Sequence, residues 1–142
     1  MNTKAIDFFV RQFGVDESFY FKNLGFMFRD DLNIICYDKV IKNSVHRKWM
    51  RYIKQTFGYK VKYPFAFYLL HEIGHKMTME YMTHKLEYHY MIASPYINEP
   101  TKMRKYMYMK YMSLPPEFLA TEWAVEYAKK HPRTMKFLEK CA

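Results

Sequence analysis

Apolar residues recur three or four positions apart in several segments of the chain, which is the spacing of one helix face. Each segment also carries a boundary signal, such as Gly14 after the first and a capping Ser44 before the second. Pro64 stands in the first turn of the third, where proline is well tolerated. The predicted helices cover residues 3–13, 44–57, 64–82 and 117–131, and Pro132 begins a short terminal one.

The segment between the first two helices has the shorter pattern of strands. Aromatic-rich runs at residues 19–21 and 26–28 flank a turn around Gly25, and residues 32–37 form the strongest strand candidate. Residues 83–100 indicate a loop, and residues 101–112 favour a helix. We therefore expect an α+β fold, mostly helical with a small antiparallel sheet. Without a repeat or a Gly/Ser-rich linker, residues 1–142 are expected to form one domain.

Composition excludes several classes of protein. Half of the residues are hydrophobic and 26% are charged, which is typical of a folded globular domain. Residues 65–70, the longest apolar run, are too short to span a bilayer, and Asp7 interrupts any secretory signal. Two cysteines cannot build a disulfide scaffold, and four dispersed glycines do not form a phosphate-binding loop. We expect a cytoplasmic protein with no membrane partner.

The predicted third helix contains the sequence His71-Glu72-Ile73-Gly74-His75, an HExxH motif. Residues four apart lie on the same face of a helix, so the two imidazoles can bind one metal ion. Glu72 is displaced by about 100° around the helix axis, and it can reach a water molecule on the metal without being a ligand. Neutral imidazoles suit Zn²⁺. The motif thus predicts a zinc site with Glu72 as the general base.

A catalytic zinc site needs a third protein ligand, and Glu122 is the expected one. Phe118, Leu119 and Val125 stand around it at helical neighbour spacing, which predicts that Glu122 faces the core. A carboxylate in the core is costly unless it is paired or bound to a metal. A metal ion bound to Glu122 would remove that cost.

Two other acids on this predicted helix keep the choice of ligand open. Glu117 is the alternative ligand, although an acid at a helix start is also explained by the helix dipole. Glu126, one turn after Glu122, can accept a hydrogen bond from a ligand histidine or pair with Lys129 or Lys130 in solvent. The residues alone leave Glu122, Glu117 and Glu126 as possible ligands.

The HExxH motif followed by a helix with the sequence Glu122-Trp-Ala-Val-Glu-Tyr-Ala resembles the zincin metallopeptidases of the gluzincin type. The form with Gly74 is also similar to small HExxH proteins encoded by phages and mobile elements. The resemblance covers residues 71–132, and Lys76 and the long gap before Glu122 depart from the pattern. It implies a bacterial or phage-infected host cell, and an edge strand, for which residues 32–37 are the candidate, that pairs with a peptide substrate.

The leading hypothesis is a zinc-dependent endopeptidase that acts on a peptide or protein substrate. His71, His75 and Glu122 bind zinc, the metal polarises the scissile carbonyl, and Glu72 is the general base and then the acid. The residue that stabilises the oxyanion is expected among His84, Tyr88, His89, Tyr96 and His131.

Two alternatives follow from charge and size. The formal net charge is +9, and basic residues cluster on two predicted helices, which fits a DNA-associated protease resembling the SprT-like enzymes. These clusters are Arg47, Lys48, Arg51 and Lys54, and Lys102, Arg104, Lys105 and Lys110. Basic helix faces also occur simply as solvated surfaces. The other alternative is a non-catalytic viral or mobile-element protein that uses zinc to hold its fold and binds a host protein.

Overall fold

A computed structural model describes residues 1–79 and 111–142 of the chain. The predicted loop at 83–100 lies outside these residues, as does most of the helix predicted at 101–112. The described helices are α1 (Thr3–Arg11), α2 (Ser44–Phe57), α3 (Pro64–Thr78), α4 (Pro115–Lys130) and α5 (Pro132–Cys141). The described strands are β1 (Glu17–Tyr20), β2 (Met27–Arg29) and β3 (Ile34–Tyr37). The α+β class predicted from the sequence is confirmed.

Local signals in the sequence set the helix ends. The Asn43 side chain caps α2 by accepting a hydrogen bond from the backbone N–H of His46 at 2.9 Å, so the cap is one residue before the predicted Ser44. Gly58 ends the helix in the left-handed conformation, at φ 64°. Pro64 occupies the first turn of α3, as expected. The described bounds of these helices therefore lie close to the predicted ones.

The small sheet is mixed, with strand order β1-β3-β2. β3 pairs in parallel with β1 and antiparallel with β2, so the prediction of a purely antiparallel sheet was wrong. The segment that connects β1 to β2 crosses one end of β3. There the Phe21 N–H donates a hydrogen bond to the Tyr37 carbonyl oxygen, and the Asn23 N–H donates one to the Asp38 carboxylate. β3 is therefore the central strand and not the edge strand that residues 32–37 were expected to form.

The core is organised around α3, which is buried on nearly all sides from Phe65 to His75. It packs mainly against α4 and also touches α5 and β2. The crossing with α4 is close: a Cβ added to Gly74 would lie 2.4 Å from the Ala120 carbonyl oxygen. Glycine at this position therefore lets the two helices approach. Within the described residues, no helix is both long and apolar enough to cross a membrane.

Candidate metal centre

The HExxH residues lie on the buried face of α3. His71, Glu72 and His75 are 5%, 8% and 6% exposed, and one ligand atom from each lies within 4.8 Å of those from the other two. The helical spacing of the motif accounts for this convergence, because His71 and His75 are one turn apart. The structure thus brings together three of the residues that the sequence singled out.

The carboxylate that meets the two histidines is Glu117, from the first turn of α4. Its Oε2 lies 2.8 Å from Nε2 of His71 and 3.2 Å from Nε2 of His75. Glu117 is 3% exposed, so the contact is shielded from solvent. Two imidazole nitrogens and one carboxylate oxygen therefore converge at the seam between α3 and α4.

Glu122, the expected third ligand, does not take part in this cluster. Among the described residues it makes no hydrogen bond or ion pair with either histidine, and it is only half-buried. It is displaced from Glu117 by about 140° around the helix axis. Glu126 is exposed and also lies away from the histidines. Glu117, the alternative, and not Glu122 is thus the acid that the structure places against the two histidines.

Glu117, and not Glu122, meets the histidines because α4 packs small residues against α3. Ala120, Ala124 and Ala128 are buried on this face, whereas Phe118 and Leu119 are half-buried. Small residues allow the backbones to approach to the distance that Gly74 permits, and they leave the larger side chains at the flanks. The carboxylate on the small-residue face is the one that reaches the histidines.

Neighbouring groups orient this cluster. The Thr121 hydroxyl lies 3.1 Å from Nδ1 of His71, and the Tyr111 hydroxyl donates to Oε1 of Glu117 at 2.7 Å. Neither residue was predicted as part of this site; the position of Thr121, one turn after Glu117, was the available signal. The backbone N–H of Phe28 in β2 donates to Oε2 of Glu72 at 2.8 Å, a contact that no sequence pattern announces.

Burial and the neighbouring charges shift the protonation of the centre. Burial raises the pKa of Glu72, although the charges of His71 and His75 oppose this shift. Burial alone would lower the pKa of His75, but the charge of Glu117 and its hydrogen bond raise that pKa to about 9. In the metal-free protein, His75 is therefore expected to be protonated and paired with Glu117 near neutral pH.

The donor set fits a zinc ion. Ligand atoms of a tetrahedral zinc site are separated by about 3.4 Å, as follows from metal–ligand distances near 2.1 Å. The two contacts of Glu117 Oε2, at 2.8 and 3.2 Å, need to widen only slightly to reach this spacing. Nδ1 of His71 has Thr121 as an outer partner, whereas Nδ1 of His75 is buried without a hydrogen-bond partner among the described residues. The fit therefore rests on the three converging donors.

A cleft of about 510 Å³ opens beside the centre. His71, Glu72, His75 and Glu117 form part of its wall, together with residues of β2 and α2. Trp49 of α2 packs edge-on against His71, with ring centroids 5.2 Å apart. In the described part of the chain, the candidate ligands therefore lie at the wall of a cleft.

His46, which was not predicted as a site residue, also lines the cleft. Nδ1 of His46 lies 3.0 Å from the Tyr68 hydroxyl. Burial raises the pKa of Tyr68 to about 12 and, with the charges of Lys42 and Arg47, lowers the pKa of His46. Both groups are therefore neutral near pH 7, and the Tyr68 hydroxyl can donate to the imidazole.

Of the five residues expected to stabilise an oxyanion, only His131 is among the described residues. His131, at the exposed end of α4, packs against Tyr127 with ring centroids 4.3 Å apart and does not line the cleft. The other candidates, His84, Tyr88, His89 and Tyr96, lie outside the described residues.

Comparisons with known proteins yield no relative: no protein-family model, no curated protein and no solved structure matches this chain.

Proposed function

We propose that this protein is a zinc-dependent peptidase. The observation that carries the proposal is the convergence of Nε2 of His71 and Nε2 of His75 on one oxygen of Glu117, beside an open cleft. Two imidazoles and a carboxylate are one of the ligand sets of catalytic zinc. These three residues would hold the ion.

Zinc bound there would act as a Lewis acid on a peptide carbonyl and would lower the pKa of a bound water molecule. Glu72 is the group placed to accept and return a proton, because it is next to His71 in sequence and lines the same cleft. The N–H of Phe28 holds its Oε2 atom, so we expect Oε1 to exchange the proton. Burial raises the pKa of Glu72, which makes its carboxylate a stronger base towards that proton.

Three donors beside an open cleft support a catalytic ion more than a structural one. Structural zinc sites are closed by four protein ligands, commonly cysteine and histidine. Among the described residues, no cysteine and no further histidine joins the group of ligand atoms around His71 and His75. A coordination position then faces the cleft, where a substrate can enter.

The edge strand beside this centre supports a peptide as the substrate. β2 is at the end of the described sheet, and its residues Met27 and Phe28 line the cleft. Because the Phe28 N–H bonds to Glu72, the outer edge of β2 faces the catalytic groups. An extended peptide that pairs with an edge strand would pass close to Glu72. We therefore propose β2, and not residues 32–37, as the strand that pairs with the substrate.

The test is the Glu72→Gln variant, with metal content measured by mass spectrometry and hydrolysis measured with quenched fluorescent peptides. We expect one zinc ion per chain in both proteins and a loss of hydrolysis of about 100- to 10,000-fold, since that is the range of general acid–base catalysis. Glu126→Gln makes the same chemical change at an exposed position and should retain both properties.

Each part of the proposal has an outcome that contradicts it. A wild-type protein that binds no zinc would contradict the metal centre. A zinc-loaded wild type that cleaves none of a broad set of peptides would favour the structural role of the ion. Full hydrolysis by Glu72→Gln would remove Glu72 from the mechanism.

A further inference from the structure

The positive charge of the chain is concentrated in one stretch. Eight of the 23 Lys and Arg residues lie between Lys39 and His71, and none of the 14 acidic residues does. The remaining 15 basic residues nearly balance the acids, so this stretch carries almost the whole net charge of +9. A charge needed only for solubility would have no reason to be confined to a quarter of the chain.

The structure places three of these cations on the outward face of α2. Arg47, Arg51 and Lys54, which we call the α2 basic face, are exposed, whereas Trp49 and Ile53 of the same helix are buried. Arg47 and Lys54 are separated by about 10 Å along the axis, because each residue adds 1.5 Å. In the described part of the chain, none of the three cations forms an ion pair with a carboxylate.

Further cations extend this face at the end of α2. Lys60 and Lys62 are exposed in the segment that follows the helix. The Lys129 ammonium of α4 donates to the Phe57 carbonyl oxygen at 3.4 Å, which brings the end of α4, with Lys130, beside the end of α2. The positive surface is therefore built from two separate parts of the sequence.

The residues of this surface favour a phosphate backbone over other anionic partners. The apolar side of α2 is buried in the core, so the helix has no apolar face to insert into a lipid surface. The cores of protein–protein interfaces are enriched in aromatic residues and methionine, and the α2 basic face contains neither. Exposed arginine and lysine side chains are typical of contacts with nucleic-acid phosphates.

We propose that the α2 basic face binds the phosphate backbone of duplex nucleic acid without reading its sequence. His46 and Trp49, on the inner side of α2, line the cleft, so bound nucleic acid would lie about one helix diameter, or 10 Å, from it. A duplex bound there would bring proteins attached to it towards the cleft. The binding itself requires neither zinc nor peptidase activity, so the two proposals can fail separately.

The experiment measures binding of the full chain to a fluorescent 30-base-pair DNA duplex by anisotropy, between 50 and 200 mM salt. The test variant is R47Q/R51Q/K54Q. The control is R133Q/K136Q/K140Q on α5, which removes the same charge from three exposed positions. Both variants are checked for unchanged melting temperature and zinc content.

We expect wild-type affinity to fall steeply as salt rises, because phosphate contacts release counterions. The test variant should bind at least about 10-fold more weakly at 50 mM salt, and its log–log salt slope should be shallower by about 2 to 3, since each phosphate contact contributes about 0.9. The control should stay within threefold of wild type.

Three results would overturn the proposal. The first is absence of binding by the wild type at 50 mM salt. The second is an equal loss in the control, which would mean that total charge and not the α2 basic face governs binding. The third is binding to phosphatidylserine-containing vesicles without binding to the duplex.

Discussion

Helix α4 carries glutamate side chains both on the face that packs against α3 and on its outer surface, and their environments differ. On the inner face, Glu117 is buried and contacts both histidines of α3. On the outer faces, Glu122 is half-buried and Glu126 is exposed. The difference arises because alanines bring the inner face close to α3 at Gly74. The close approach of two backbones, and not the bulk of the apolar neighbours, decides which carboxylate reaches the two histidines.

The largest expected effect is on zinc affinity, when Glu117→Gln is compared with Glu122→Gln. The two variants make the same chemical change at a buried and at a half-buried position of α4. We expect Glu117→Gln to weaken zinc binding by more than about 100-fold, because loss of a ligand should exceed the 10- to 100-fold effect of outer partners. Glu122→Gln should bind zinc within threefold of wild type. Competition with a chromophoric chelator measures both affinities. A greater loss in Glu122→Gln would reverse the assignment.

The second prediction concerns a substitution that would push α3 and α4 apart at Gly74. Alanine at position 74 gains up to about 1 kcal/mol in helix propensity, but its Cβ would lie 2.4 Å from the Ala120 carbonyl oxygen. Backbone atoms cannot yield as side chains do, so we expect Gly74→Ala to lower the free energy of unfolding by about 2 kcal/mol or more. Zinc affinity should also fall, because α4 moves away from α3. Urea denaturation and the chelator assay measure the two effects.

Gly58→Ala is the control for this substitution. At Gly58 nothing lies within 4 Å of an added Cβ, but φ is +64°, so alanine there costs about 1–2 kcal/mol of backbone strain. We expect this control to lose stability without losing zinc affinity. Unchanged zinc affinity in Gly74→Ala would show that the close contact between α3 and α4 does not set the spacing of the ligands.

The smallest expected effect concerns the outer contact of His71. Thr121→Val removes the hydroxyl that lies 3.1 Å from Nδ1 of His71 and keeps a similar shape. We expect zinc affinity to fall by about 10-fold, the lower end of the range for such partners. Thr56→Val, at an exposed position on α2, should leave the affinity unchanged. Equal affinities in the two variants would show that Thr121 does not orient the imidazole.

The helices and the HExxH cluster could be predicted from the sequence, because the residue patterns that specify them are local. Gly58 and Pro64 mark helix ends through backbone preferences, and the spacing of His71 and His75 places both on one face. These properties depend on residues within a few positions of each other. The structure accordingly shows the described helices close to their predicted bounds.

The features that the sequence did not specify depend on contacts between distant segments. Whether β3 is central or at an edge depends on whether the segment after β1 crosses the end of β3. The Asp38 carboxylate accepts a hydrogen bond from that segment, at the Asn23 N–H. The contact of Phe28 with Glu72 joins residues 44 positions apart through a backbone N–H, which has no residue signature. The choice between Glu117 and Glu122 required knowing how closely α3 and α4 approach.

The central claim is that His71, His75 and Glu117 hold a catalytic zinc ion. The most direct measurement is anomalous X-ray diffraction at the zinc absorption edge from crystals of the zinc-loaded protein. The account predicts one strong peak within bonding distance of Nε2 of both histidines and a Glu117 oxygen, with the remaining position open to the cleft. A peak coordinated by Glu122, a site closed by four protein ligands, or no peak at these histidines would contradict it.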